Sequence, residues 1–340
     1  PCVVLSALVG DLGLAGYVGR ALEGLMRPLF HVPGACASAF VLGFVGGYPV
    51  GARTALSLYQ KGMCTKTEAE RLLSFCNNSG PAFILGVVGA GVFASSRVGV
   101  LLYLAHAAAS VCVGFLFRFY KRDRRSGADR PVPQFQAERF TTAFTGAVKN
   151  SFLSVLNICA FVVFFTVVIR LLFLSGLLPG LAGLLGRAFA PLGFSQAWAE
   201  RLLTGVLELS TGVWSLSGAG TTAGPMSMAA FLLGWAGLSV HCQVLSFLGG
   251  SGLSVKTYLG GKLLHGGLSA LFTALLVRAF PLEAPVSSYL AEQVEGIAEL
   301  DFSTALTISI VCAWVLWLLF FAAAVAAVGK TSRKRRRNVV

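Results

Sequence analysis

Apolar residues gather into membrane-length blocks, and polar residues collect between them. Seven stretches reach bilayer length: 3–24, 72–93, 98–119, 152–174, 229–248, 259–280 and 305–328. A spanning helix needs ~20 predominantly apolar residues. Two more, 39–59 and 202–222, are apolar but interrupted, the first by GGYPVGA and the second by LSTG and SGAG. Lipid offers no water to pair free backbone groups, so a broken segment must be buried in protein or line a cavity. Both are read as re-entrant hairpins, with two kinked spans as the alternative. The predicted fold is an all-α polytopic membrane protein.

The blocks also repeat. LLSFCNNSGPAFILG from Leu72 aligns with LLGWAGLSVHCQVLSF from Leu232, pairing Phe75 with Trp235 and Ser79 with Ser239. Upstream, Pro28 falls on Pro191 and Gly51 on Gly212; downstream, His106 falls on His265 and Ser110 on Ser269. Several pairs keep order at nearly one offset, as an internal repeat of a transporter-like core would. The expected organisation is a first repeat at 1–120, a basic linker at 121–140 and a second repeat at 141–280. An acidic loop at 281–302 and a terminal span with a basic tail at 303–340 follow.

Charge placement sets topology. The chain is 56% hydrophobic and 12% charged, with formal net charge +13. The basic charge concentrates in RFYKRDRRSGADRPVPQFQAER from Arg118 and KTSRKRRR from Lys330. The loop after residue 280 carries Glu283, Glu292, Glu295, Glu299 and Asp301 with no Lys or Arg. Lys and Arg in short flanks mark the cytoplasmic side. If the hairpins do not cross, an odd number of spans separates linker from acidic loop and inverts the second repeat relative to the first. The basic flanks then meet anionic lipid rather than nucleic acid. Eight scattered cysteines, with no CxxC, indicate neither a disulfide framework nor a zinc site. Pro1 opens the chain without a methionine, so a preceding piece is expected, and no signal-peptide pattern is seen.

Polar groups at membrane depth are expensive, so they form the candidate site. In GGYPVGAR, Gly47, Tyr48, Pro49 and Gly51 make a hairpin turn. Arg53 follows on the resuming half-helix, whose free N–H groups suit an anion. The alternative has Arg53 snorkelling to the interface. CNNSGP puts Asn77, Asn78 and Ser79 in an apolar helix that Gly80 and Pro81 loosen, for a ligand or for interhelical hydrogen bonds. The second repeat contributes Glu208, Ser210, Thr211, Ser239, His241 and Gln243. Glu208, a lone buried acid, is the candidate for a coupling proton or sodium ion, or for pairing with an arginine. His106 and His265 are read as interhelical donors, with a proton relay as the alternative. No GxSxG, HExxH, P-loop or Rossmann glycine motif is present, so an enzyme is not expected.

GGYPVGA, ERLLSFCNNSGP and the later HCQ resemble the YlbJ-type sporulation integral membrane proteins, over residues 25–278. That family carries a nucleoside recognition, or Gate, domain twice. The resemblance implies hairpin-plus-helix repeats like those of concentrative nucleoside transporters, where hairpin tips and broken helices hold substrate and sodium. It also implies a role in spore formation, moving dipicolinic acid from the mother cell across the outer forespore membrane. That small planar dianion suits Arg53, the hairpin N-termini and the Asn77–Asn78 pair. The transporters' acidic signature is absent from the first hairpin, where GYPVGAR stands, and only Glu208 supplies an acid in the second. A transporter of a nucleoside-like solute and a non-transporting scaffold or sensor remain as alternatives. No cofactor beyond a coupling ion is expected; the expected partners are the anionic substrate, anionic lipids and other copies of the chain.

The charge pattern predicts a labelling result. With native cysteines replaced, cysteines introduced at Ser126 and Ser332 label only from the cytoplasmic face, and one at Ser287 only from the opposite face. Labelling of Ser126 and Ser287 positions from one side contradicts the inverted repeat.

Overall fold

The computed structural model describes residues 21–121 and 140–280, together with Val4 and Leu8. Most of the expected first span and of the basic linker, and all of the acidic loop, terminal span and basic tail, lie outside the described residues. All described residues belong to one compact unit, Pro1–Leu282. Their regular elements are all helical.

In the first repeat, α1 (Glu23–Phe30) leads through a 3₁₀ turn (Gly34–Cys36) into α2 (Ala37–Gly46) and α3 (Val50–Gln60). After α4 (Lys66–Leu73) come a π-helix, α5 (Ala82–Val92), and α6 (Ser96–Phe117). The long α7 (Phe140–Leu174) and α8 (Leu177–Ala188) follow, then α9 (Gln196–Leu207) and α10 (Leu209–Trp214). Last come α11 (Ala223–Trp235), α12 (Gly237–Leu248) and α13 (Val255–Ala279). From α2 and from α9 the same order runs: two arms of a hairpin, a helix broken in two, a continuous helix.

Four helical segments among the described residues are long and apolar enough to span a membrane: Ser96–Phe117, Phe140–Leu174, Ala223–Leu248 and Val255–Ala279. The pair Glu23–Phe30 and Gly34–Gly46, bent by 96°, makes a fifth if counted as one. The helix expected at 152–174 starts twelve residues earlier, at Phe140. At 1.5 Å per residue, its 35 residues reach about 52 Å, beyond a ~30 Å hydrocarbon core. Small buried residues Ala143, Ala147, Ser151 and Ser154 line its inner side, while Phe152, Val163, Phe164 and Leu171 are exposed for lipid.

Both hairpins fold where the sequence breaks, and glycines set how tightly. In the first, the chain leaves α2 at Gly47, whose φ of +72° is a left-handed conformation that glycine tolerates. The arms touch at Gly43 and Gly51: a Cβ on Gly43 would lie 3.2 Å from Gly51 Cα and closer still to the Cys76 carbonyl. In the second hairpin, Gly205 and Gly212 meet the same way, and a Cβ on Gly212 would collide with Gly205 Cα. Its break falls at Glu208, whose extended backbone ends α9 and whose carboxylate accepts the Thr211 N–H at 2.6 Å, capping α10.

The stretch 72–93, expected as one span, is not one. It divides into α4, a non-helical run at 77–80 and α5. Asn77, Asn78 and Ser79 therefore sit in a break rather than in a helix. Pro81 biases Gly80 away from helical angles and removes a donor. The second repeat breaks at the matching place, with Ala236 and Gly237 at φ +80° and +78°. Each hairpin tip seats against the break that follows it. A Cβ on Gly47 would lie 3.0 Å from Gly80 N, and one on Gly237 would lie 2.9 Å from Leu209 N.

The core runs through both halves. One cluster joins Met26, Phe30, Leu72 and Phe75 to Val240, Val244, Leu248 and Tyr258. The other joins Ile84, Val88 and Leu102 to Leu209, Met226, Leu232 and Leu233. At one edge, buried Arg71 clamps helix ends: it donates to the carbonyls of His31 (3.0 Å), Tyr120 (2.8 Å) and Lys121 (2.8 Å). Adjacent Glu70 accepts the Ser254 N–H at 3.0 Å, fixing the entry to α13.

Two stability predictions follow from these breaks. Gly51→Ala drives a methyl into the Cys76 backbone and lowers stability by at least ~1–3 kcal/mol, whereas Gly146→Ala on open α7 is tolerated. Glu208→Ala removes a cap and lowers stability by ~0.5–2 kcal/mol, while Glu208→Gln, which keeps the acceptor, stays near wild type. Thermal unfolding in detergent measures both; Gln matching Ala contradicts the capping role.

Candidate functional site

The first break lies against α13. Tyr258, Gly261, Lys262 and His265 share one face of that helix by their spacing. Gly261 admits the close approach, since a Cβ there would sit 2.7 Å from Ser74 Cα. The next residue, Lys262, is fully buried at 0% exposure.

Its ammonium is surrounded by neutral acceptors. Nζ donates to Tyr48 Oη at 2.8 Å and to the Asn77 carbonyl at 2.9 Å, and lies 3.4 Å from His265 Nδ1. It also stands 4.8 Å from the centre of the Tyr48 ring, a cation–π contact. Tyr48 Oη donates its own proton to the Leu233 carbonyl at 2.7 Å, so it can only accept from the lysine. His265 Nε2 donates to the His106 carbonyl at 3.0 Å, which leaves Nδ1 as an acceptor. Three acceptors around Nζ call for three protons. The ion pairs Glu23–Arg27 and Glu70–Lys121 lie elsewhere, and among the described residues no ion pair involves Lys262.

A second chain of bonds leaves the same break. The Ala52 N–H, in the first turn of α3, donates to Asn77 Oδ1 at 3.4 Å. Asn77 Nδ2 donates to Tyr258 Oη at 3.4 Å, and that hydroxyl lies 3.1 Å from His241 Nδ1. The free N–H expected to attract an anion at this half-helix is thus met by a side chain of the helix break that follows the hairpin. One residue on, Asn78 Nδ2 donates to the Phe75 carbonyl (3.0 Å) and Ser110 Oγ (3.3 Å), and the Ser79 N–H donates to His106 Nε2 (3.1 Å). His106 and His265, matched in the repeat, lie with ring centres 4.3 Å apart and planes tilted by 36°, and each pairs a backbone group.

Several buried polar atoms remain without partners: Asn78 Oδ1, His106 Nδ1, Ser239 Oγ, His241 Nε2 and Ser269 Oγ. An unmet buried polar group costs about 1–3 kcal/mol. These atoms are open to a ligand or to water.

The structure therefore gathers part of the expected set. Gly47, Tyr48, Pro49, Gly51, Asn77, Asn78 and Ser79 lie at the first hairpin tip or the first break, and His241 reaches the break through Tyr258. Arg53 stands apart: it donates to Ser154 Oγ on α7 at 2.9 Å and lies 5.4 Å from the Phe247 ring centre. Glu208 and Thr211 cap α10, beside Ser210, and among the described residues no hydrogen bond joins Glu208 to the asparagines. Ser239 and Gln243 are buried on α12. The sequence reading missed Lys262 and Tyr258. The signal was present, since a lysine inside an apolar stretch of spanning length is a functional candidate by itself.

Comparison with known proteins places these features. The Gate family model, described as nucleoside recognition, matches residues 1–117. The sporulation integral membrane protein YlbJ of Bacillus subtilis is 31% identical over 294 residues, covering 81% of this chain and 72% of that protein. An uncharacterized protein of Alkalihalophilus pseudofirmus is 32% identical over 85 residues, covering 25% of this chain and 18% of its own. Among solved structures, CNTnw in an inward-facing substrate-bound state is similar with a TM-score of 0.48 and 14% identity, over 83% of this chain and 74% of that one. The chain is a multi-pass integral membrane protein, and it belongs to the family of the sporulation integral membrane protein YlbJ.

Proposed function

We propose that this protein moves a small anionic solute across a membrane by alternating access, and that in spore formation the solute is dipicolinic acid, crossing the outer forespore membrane. One observation carries the reading. A fully buried lysine, Lys262, sits where a hairpin tip and a broken helix meet, and its hydrogen-bond partners among the described residues are all neutral. A buried charge without a counter-charge is expensive, and an anion arriving at the break would supply it. Asn77 Nδ2, which gives one proton to Tyr258, has a second to offer a carboxylate, and Gly47 and Gly80 allow close backbone approach. Glu208, buried at the second tip with one hydrogen bond from the chain, is the candidate for the coupling proton or sodium ion.

A nucleoside-like solute is the second reading, favoured by the description of the Gate model. A buried lysine with no acidic partner among the described residues argues for the anion instead.

Uptake of labelled dipicolinate into proteoliposomes, with and without proton and sodium gradients, tests the proposal. Wild type accumulates dipicolinate, and unlabelled nucleosides do not compete. Asn77→Ala weakens uptake roughly tenfold with ion dependence retained, the loss expected for a hydrogen bond to a charged group. Glu208→Gln flattens the ion dependence while some binding survives. Competition by nucleosides with no dipicolinate uptake would establish the second reading.

A further inference from the structure

The three acceptors around Lys262 are not equivalent. Asn77 and His265 are fully buried, and each is fixed by further bonds: Asn77 by Ala52 and Tyr258, His265 by His106. Tyr48 is partly exposed and belongs to the hairpin tip. Its hydroxyl links that tip to the other half of the molecule, through Lys262 Nζ and the Leu233 carbonyl. Of the three acceptors, Tyr48 is thus the one with exposed surface.

A carboxylate is a stronger acceptor for an ammonium than a phenol oxygen is, because the bond is then charged at both ends. Building on the anion-transport reading, we infer that Lys262 pairs with a substrate carboxylate by exchange: the ammonium releases Tyr48 Oη, and binding thereby unlatches the first hairpin tip. Lys262 keeps the Asn77 carbonyl and His265, so the break stays closed while the tip is freed. His106 Nδ1 and His241 Nε2, buried without partners at groups bonded to the same cluster, leave further donors for a second carboxylate. The same side chain then supplies both specificity for an anion and the signal that one has arrived.

Equilibrium binding of labelled dipicolinate to the full chain in nanodiscs tests the exchange. Lys262→Met weakens binding at least ~tenfold, the effect of losing a charged hydrogen bond. Tyr48→Phe removes the competing acceptor and keeps the ammonium, so it tightens binding by roughly three- to tenfold. A packing role for Tyr48 predicts the opposite sign. Wild-type affinity in a folded Lys262→Met protein overturns the inference and leaves the transport reading standing. Should Lys262→Met fail to fold, Tyr48→Phe decides alone: tighter binding supports the exchange, and unchanged or weaker binding overturns it. A wild-type protein that binds no dipicolinate overturns the transport reading, and the exchange with it.

Discussion

One ammonium group bonds across both halves of this molecule. Lys262 belongs to the last helix of the second repeat, yet its hydrogen bonds go to the hairpin tip and the helix break of the first. In the interior of a membrane protein a freed backbone carbonyl has no water to turn to. The lysine meets the Asn77 carbonyl and orients the tyrosine that meets the Leu233 carbonyl. Two broken helices, one in each repeat, are completed through a single side chain.

The other breaks obey the same constraint with different means. The Ser79 amide finds His106, and the Ala52 amide finds Asn77. Glu208 turns its carboxylate onto Thr211 to close α10. Glycine pairs bring the backbones within reach: Gly43 with Gly51, Gly205 with Gly212, and Gly47 with Gly80. Non-helical backbone at membrane depth survives only when so enclosed, which is why polar side chains concentrate at the breaks, while the exposed side of α7 between Ser151 and Ile169 carries one hydroxyl, Thr166. A place where helices are broken and polar groups are drawn together is also where a solute can be recognised.

Much of this was legible in the sequence. Both hairpin breaks stand where GGYPVGA and LELSTG interrupt apolar runs, and the matched histidines do meet between continuous helices. The CNNSGP stretch was harder. Its apolar flanks and spanning length read as one helix, and only tertiary bonds to Lys262, Tyr258 and His106 hold it open. Lys262 itself was hidden by its setting, GGKLLHGG, since the 25-residue helix stays apolar enough to span despite Lys256, Lys262 and Arg278. Nor does sequence order reveal which side of α3 Arg53 occupies; the packing of α7 and α12 turns it toward Ser154 and Phe247. Local composition located the breaks, while the partners that satisfy them are distant in sequence.

The dependence of both halves on Lys262 has a direct measure: a double-mutant cycle on thermal stability, combining Lys262→Met with Tyr48→Phe. Groups in direct contact couple, whereas distant sites add within ~0.3–0.5 kcal/mol. A shared latch predicts a coupling of at least ~1 kcal/mol, with the second substitution costing little once the first is made. Strict additivity of the two substitutions would contradict a latch between hairpin tip and helix break.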